Sequence, residues 1–187
     1  RSYMGSRLPP LFLGGFDKPH GCRRLLQIGP GIGQMTHQLC AWGWRVECCE
    51  VGEWAAAYLR EAYPTVTVHR ADWMQWEPPQ RYDAITSNHV LEHFPDAERA
   101  LLKMADALTI GGKLYLELPA QIFDDGNSNE HGWPNGMHNH DHWWHFSQRT
   151  LRTWLTNAGL VDIGFANTIR ANEGDKLMDY HVVGRRA

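Results

Sequence analysis

Residues 136 to 147 read GMHNHDHWWHFS and hold four of the chain's eleven histidines, His138, His140, His142 and His145. Imidazoles bind metals and move protons near neutral pH, so no other window of this length is so loaded with reactive groups. A second window, GPGIG at 29 to 33, offers bare backbone instead of side chains. It follows the apolar run RLLQI and precedes QMTHQLCAWG. A strand, a glycine turn and a helix in that order place main-chain groups at the carboxyl edge of a sheet, where open α/β folds bind ligands. Two acids follow at comparable places. Glu50 stands near the end of WRVECCEV, and Asp72 ends VTVHRAD, with Trp73 directly after it.

The types of these residues narrow the ligand. A carboxylate at Glu50 can accept hydrogen bonds from both hydroxyls of a ribose. Asp72 can take an adenine amino group while Trp73 covers the ring face. The glycines run Gly29, Gly31, Gly33, and Gln34 stands where a dinucleotide fingerprint has its last glycine, which weakens a nicotinamide or flavin reading. What remains is an adenosine site without a phosphate cradle.

The elements that must carry these residues alternate. GEWAAAYLREAYP reads as the second helix with its stop, YDAITSNHV as a fourth strand, and DAERALLKMADAL as a helix capped by Asp96 and ended by the glycine pair at 111 to 112. KLYLELP is a fifth strand, TLRTWLTNA a helix closed by Gly159, and VDIGFANTI with MDYHVVGRR a closing pair of strands around ANEGD. Alternation of this kind predicts a parallel sheet covered on both faces, with antiparallel strands at the end. The connection at 120 to 147 is far longer than an ordinary loop and carries Trp133, Trp143, Trp144 and Phe146, which points to function.

At 187 residues the chain fits one domain. Its composition, 43% hydrophobic and 21% charged, is that of a globular protein, and the mean hydropathy of -0.47 argues against a membrane protein. A net charge of -3 supplies no field that would pull the chain onto nucleic acid, which is demoted as a partner. Cys22, Cys40, Cys48 and Cys49 show no CxxC spacing, and the adjacent pair should point to opposite faces of a strand. Reduced thiols, no membrane span and no signal-peptide apolar centre lead to the expectation of a cytoplasmic protein.

In sequence order these segments resemble the class I S-adenosylmethionine (SAM) dependent methyltransferases, particularly the small-molecule subgroup. LLQIGPGIGQMT resembles the first motif, VECCEV the acidic second, HRADW the adenine-contact motif and YDAITSNHVLEHF the fourth-strand motif. ALTIGGKLYLELP is similar to the segment into the fifth strand, and HWWHFSQRTLRTWLTNAGL to the region after the sheet. The resemblance runs roughly from Arg24 to Gly184. It implies a Rossmann-like, doubly wound, mostly parallel seven-stranded sheet with an antiparallel C-terminal hairpin. It implies SAM as cofactor, contacted by Gln27, Gly29, Gly31, Gly33, Glu50, Val51, Asp72, Trp73, Asn88 and His89. The reaction implied is methyl transfer to N, O or C of a small-molecule acceptor such as a sugar or natural-product precursor. Ser87, Asn88 and His89 then face the sulfonium end. One departure stands out: Gln27 replaces the acid that commonly precedes the glycines and supports the methionine ammonium.

Under the same resemblance His89, His93, His142 and His145 are the candidate bases, Glu92 is a structural partner, and His142, Trp144 and His145 line the acceptor pocket. The histidine tract is thus read as an active-site cover with no metal assigned. A zinc or iron enzyme built on the alternating His138, His140 and His142 is the alternative, as is a non-catalytic binder of SAM or another adenosine ligand. The domain division expected is an N-terminal arm at 1 to 23, a lid or homodimer contact, and one catalytic domain at 24 to 187 with its loop at 120 to 147.

Overall fold

The computed structural model describes residues 23–119, 142–172 and 175–187. His131, Trp133, His138, His140, Asp141 and all but the last residue of the N-terminal arm lie outside the described residues. Strands β1 (Arg24–Ile28), β2 (Arg45–Glu50), β3 (Thr67–Arg70), β4 (Tyr82–Asn88), β5 (Leu108–Pro119), β6 (Leu160–Asn172) and β7 (Asp175–Arg186) form one sheet in the order β3-β2-β1-β4-β5-β7-β6. The first five run parallel, and β7 lies antiparallel between β5 and β6. The order turns back between β1 and β4. Ligands of open α/β sheets bind in the crevice at such a reversal, outside the carboxyl ends of the strands.

The central strands read as continuous apolar runs because both their faces are covered. Leu25 and Leu26 are both fully buried, one on each side of β1. Cys48 and Cys49 divide in the same way. Cys48 packs with Leu25, Leu39 and Trp44 beneath helix α1 (Gln34–Ala41). Cys49 packs with Leu26, Leu101 and Met104 beneath helix α3 (Ala97–Asp106). Helix α2 (Glu53–Ala62) and helix α4 (Gln148–Asn157) complete the layers. Burying each such Leu stabilises the fold by about 1.5 to 3 kcal/mol.

The caps follow local chemistry. Asp96 accepts from the Arg99 amide at 3.1 Å, and Ser147 does the same for Thr150 at 3.1 Å. The end of α3 differs from expectation. The helix stops at Asp106, and Gly111 and Gly112 lie inside β5. Leu108, fully buried, pairs with Tyr82 before a shift in register. Gly111 takes φ +78, and a Cβ on Gly112 would stand 2.8 Å from the Thr109 carbonyl, so the glycines serve a bulge and not a cap. Arg186 closes the helix instead, donating to the carbonyls of Asp106 at 2.7 Å and Leu108 at 2.6 Å.

Candidate active site

The tips of β1 and β2 are tied by one carboxylate. Glu50, only 7% exposed, accepts the Gly31 amide on Oε2 at 3.1 Å and the Gly52 amide on Oε1 at 2.8 Å. The glycine turn is thereby held against the end of β2. Gly31 adopts φ +56, and a Cβ built there meets nothing within 4 Å, so open space faces its backbone. Gly33 serves another purpose: a Cβ there would lie 2.6 Å from the Tyr63 ring and 2.8 Å from Leu59, so its bareness lets α1 pack against the end of α2. A Cβ on Gly29 would strike Val90 at 2.4 Å. Gln27 is buried beneath the turn, with Oε1 accepting from the Thr36 hydroxyl at 2.6 Å, a tie from β1 to α1.

Asp72 follows β3. Its Oδ1 accepts the Met74 amide at 2.9 Å, and its Oδ2 carries no hydrogen bond among the described residues. Val51 stands beside Glu50, 67% exposed. Trp73 departs from the sequence expectation. It is 2% exposed, its indole N–H donates to the Ala100 carbonyl at 3.2 Å, and Lys103 lies over its ring. Trp73 is a core residue between β3 and α3 and has no free face to offer an adenine. Its apolar ring gains more from burial against α3 than it would at the surface.

The tips of β4, β5 and β7 gather charge. The Asn88 amide donates to Glu117 Oε2 at 2.7 Å. His89, with φ +50, sits in a strained left-handed conformation of the kind that clusters at functional sites. Its ring nitrogens face three carboxylates: Glu92 at 3.5 Å, Glu117 at 3.6 Å and Asp179 at 3.8 Å. Burial opposes a charge on His89, but the approach of the Glu117 and Glu92 carboxylates and the field of Asp179 prevail and raise its pKa to about 9. At neutral pH His89 is an imidazolium. Burial likewise pushes the Glu117 carboxyl up, but the charged His89 and the Asn88 amide more than offset it and leave Glu117 below the usual range.

A 3-10 turn, Leu91–His93, follows β4, and the described end of the long loop lies on it. The Trp143 amide donates to the Glu92 carbonyl at 2.9 Å, and the Trp144 indole donates to the Phe94 carbonyl at 2.9 Å. Phe146, 1% exposed, anchors the segment against Trp144 and Trp154. The His142 ring then meets His93 edge-on at 4.7 Å and His145 at 6.1 Å. Burial lowers the pKa of both His142 and His145. Glu92 opposes this at each, and the neighbouring imidazoles reinforce it at His142. The four candidate bases thus fall into a charged one at the sheet edge and a group around the cover.

Glu117 and Asp179 went unnoticed in the sequence. Glu117 ends KLYLELP much as Glu50 ends its own strand, a signal that was available. Asp179 reaches the site only through the antiparallel register that pairs it with Pro119. A cleft of about 580 Å³ lies elsewhere, lined by Gln80, Arg81, Arg99 and Lys103 near the amino end of β4, and holds none of these groups.

Residues 3–163 match the family described as methyltransferase domain. This chain belongs to that family. An uncharacterized methyltransferase of Bacillus cytotoxicus is 30% identical over 93 residues, covering 48% of this chain and 44% of the relative, so the match spans less than half of that protein. Among solved structures, an S-adenosylmethionine dependent methyltransferase from Mesorhizobium loti superposes with a TM-score of 0.67 at 21% identity, covering 89% of this chain and 92% of that one. The Haemonchus contortus phosphoethanolamine N-methyltransferase 2, crystallised with phosphomonomethylethanolamine and S-adenosylhomocysteine, superposes with a TM-score of 0.70 at 16% identity, covering 88% of this chain and 49% of that one. These likenesses establish the doubly wound fold with its antiparallel end. Among the described residues no helix is long and apolar enough to cross a membrane.

Proposed function

We propose that this chain is a SAM-dependent methyltransferase that methylates N, O or C of a small-molecule acceptor. The observation that carries the reading is the Glu50 carboxylate bound to the Gly31 amide, beside backbone that a Cβ would leave unobstructed. That arrangement suits a nucleoside: Glu50 takes the ribose hydroxyls, Asp72 Oδ2 takes an exocyclic amine, Val51 offers an apolar edge, and the turn from Gly29 to Gly33 passes beneath. Asn88 and Ser87 stand toward the methionine end. Gln27 brings a carbonyl oxygen with one lone pair already held by Thr36, so its support for an ammonium group is weaker than a carboxylate's, about 1 kcal/mol against about 1.5 to 3.

When bound, SAM supplies an electrophilic methyl group on a sulfonium. With SAM bound, an acceptor lone pair would take that methyl group and the carbon–sulfur bonding pair would stay on sulfur. The protein contributes no nucleophile. It aligns the acceptor with the methyl group, which is worth up to about 7 to 11 kcal/mol, and it keeps water out. Trp144, His142 and His145 belong to the cover on the acceptor side. In this reading the imidazoles of His142 and His145 take the proton of a hydroxyl or ammonium acceptor, and His89 orients the carboxylates at the sheet edge.

Calorimetry with SAM and with S-adenosylhomocysteine tests the reading. Both should bind, and Gly31→Val should weaken them by about a hundredfold or more, because its methyl groups fill the open space and a β-branched residue resists φ +56. No heat of binding from the unaltered chain below millimolar ligand would remove the proposal.

A further inference from the structure

Glu92 is fully buried, and among the described residues neither of its side-chain oxygens has a hydrogen-bond partner. A buried carboxylate left in that state is costly, and native structures tolerate it where another group completes the site. The nearest cation, His89 at 3.5 Å, is shared with Glu117 and Asp179. On its other side Glu92 meets two imidazoles. One ligand atom each from Glu92, His93 and His142 lie within 4.8 Å of one another.

We infer that Glu92, His93 and His142 form a binding site for one divalent transition-metal ion. Two imidazole nitrogens and a carboxylate oxygen are the donors of zinc and related borderline ions, and three protein ligands leave a position open for a further ligand. Ligand atoms around a tetrahedral zinc are about 3.4 Å apart, so rotations of exposed His93 and half-buried His142 by about an ångström close the set. The two ends of the site are already joined through the backbone, because the Trp143 amide donates to the Glu92 carbonyl. An ion here fastens the cover to the turn after β4. Of the alternating histidines of the tract only His142 takes part, since the other two ligands come from the LEH turn. The neighbouring trio of His89, Glu117 and Asp179 is a different case, because both carboxylates already face the one His89 ring.

The site shares His142 with the cover of the methyltransferase reading but is tested apart from it. The full chain, freed of any affinity tag and stripped with a chelator, is titrated with Co(II), read by its visible d–d absorption, and with Zn(II) by competition calorimetry. One equivalent should bind with the intensity of a four- or five-coordinate centre. Partners of metal ligands already matter by about 10- to 100-fold, so Glu92→Gln and His93→Asn should each weaken binding by about a hundredfold or more. His93 is exposed, which keeps His93→Asn informative should Glu92→Gln misfold. Uptake below about a tenth of an equivalent overturns the site. So does full uptake by both variants, or loss of uptake only in a His138→Ala, His140→Ala double variant. SAM affinity measured alongside separates the two readings: a chain that binds SAM and no metal loses this inference alone.

Discussion

Two buried glutamates have opposite surroundings. Glu47, 6% exposed in the middle of β2, is met by Tyr82 Oη at 3.0 Å, His69 Nε2 at 3.1 Å and the Gln80 amide. Glu92, fully buried after β4, has no hydrogen bond to its carboxylate among the described residues. The first is a finished structural network, with partners from β3, from the start of β4 and from the loop before it. The second lies among ring nitrogens just after the carboxyl end of β4. A carboxylate whose bonds are complete holds a fold together, while one whose bonds are missing at a site marks where something else binds.

The sharpest way to break this contrast is Glu47→Ala, which strands a tyrosine hydroxyl, an imidazole and an amide. Urea unfolding should show a loss of about 3 kcal/mol or more, with SAM affinity little changed in the fraction that folds. A loss near zero would mean that the Glu47 network is ornamental. Second in size, His142→Ala should leave stability and SAM affinity intact while turnover falls by about 10- to 100-fold, since it removes a side chain from the cover and not from the core. Steady-state kinetics with a turned-over acceptor decides this, and unchanged turnover would detach the cover from catalysis. Third, Glu92→Gln in metal-free buffer should keep or raise stability by up to about 1 kcal/mol, because it removes a buried charge without breaking a hydrogen bond. Destabilisation on the scale of Glu47→Ala would erase the difference between the two glutamates. The smallest effect concerns Glu117. Its depressed folded pKa adds stability above its unfolded value of 4.5, lost as pH falls through the lower folded value. Glu117→Gln should therefore flatten the fall of stability with acid below that point, as followed by circular dichroism.

Much of the site was readable from residue types at strand ends. Glycines after the first apolar run, an acid after the second and an acid after the third all arrive where local pattern placed them, because strand ends in a parallel sheet share one edge. Trp73 shows the limit of that reasoning. Its position after Asp72 suited a ligand face, yet its indole turned inward to the Ala100 carbonyl, a contact with a helix about thirty residues on that no local pattern reveals. The end of α3 failed for a similar reason. A glycine pair marks either a helix stop or a bulge, and only the pairing of buried Leu108 with Tyr82 selects the bulge.

By itself the sequence determined the order of elements, the two-sided burial of the central strands and the carboxylate at the glycine turn, since these follow from periodicity and from chemistry between near neighbours. Only the tertiary structure decided that His89 carries a charge, that Glu117 and Asp179 join it, and that Glu92 meets His93 and His142. Charge and ligation depend on distances between segments far apart in the chain, and those distances exist only after β5, β7 and the cover have packed together.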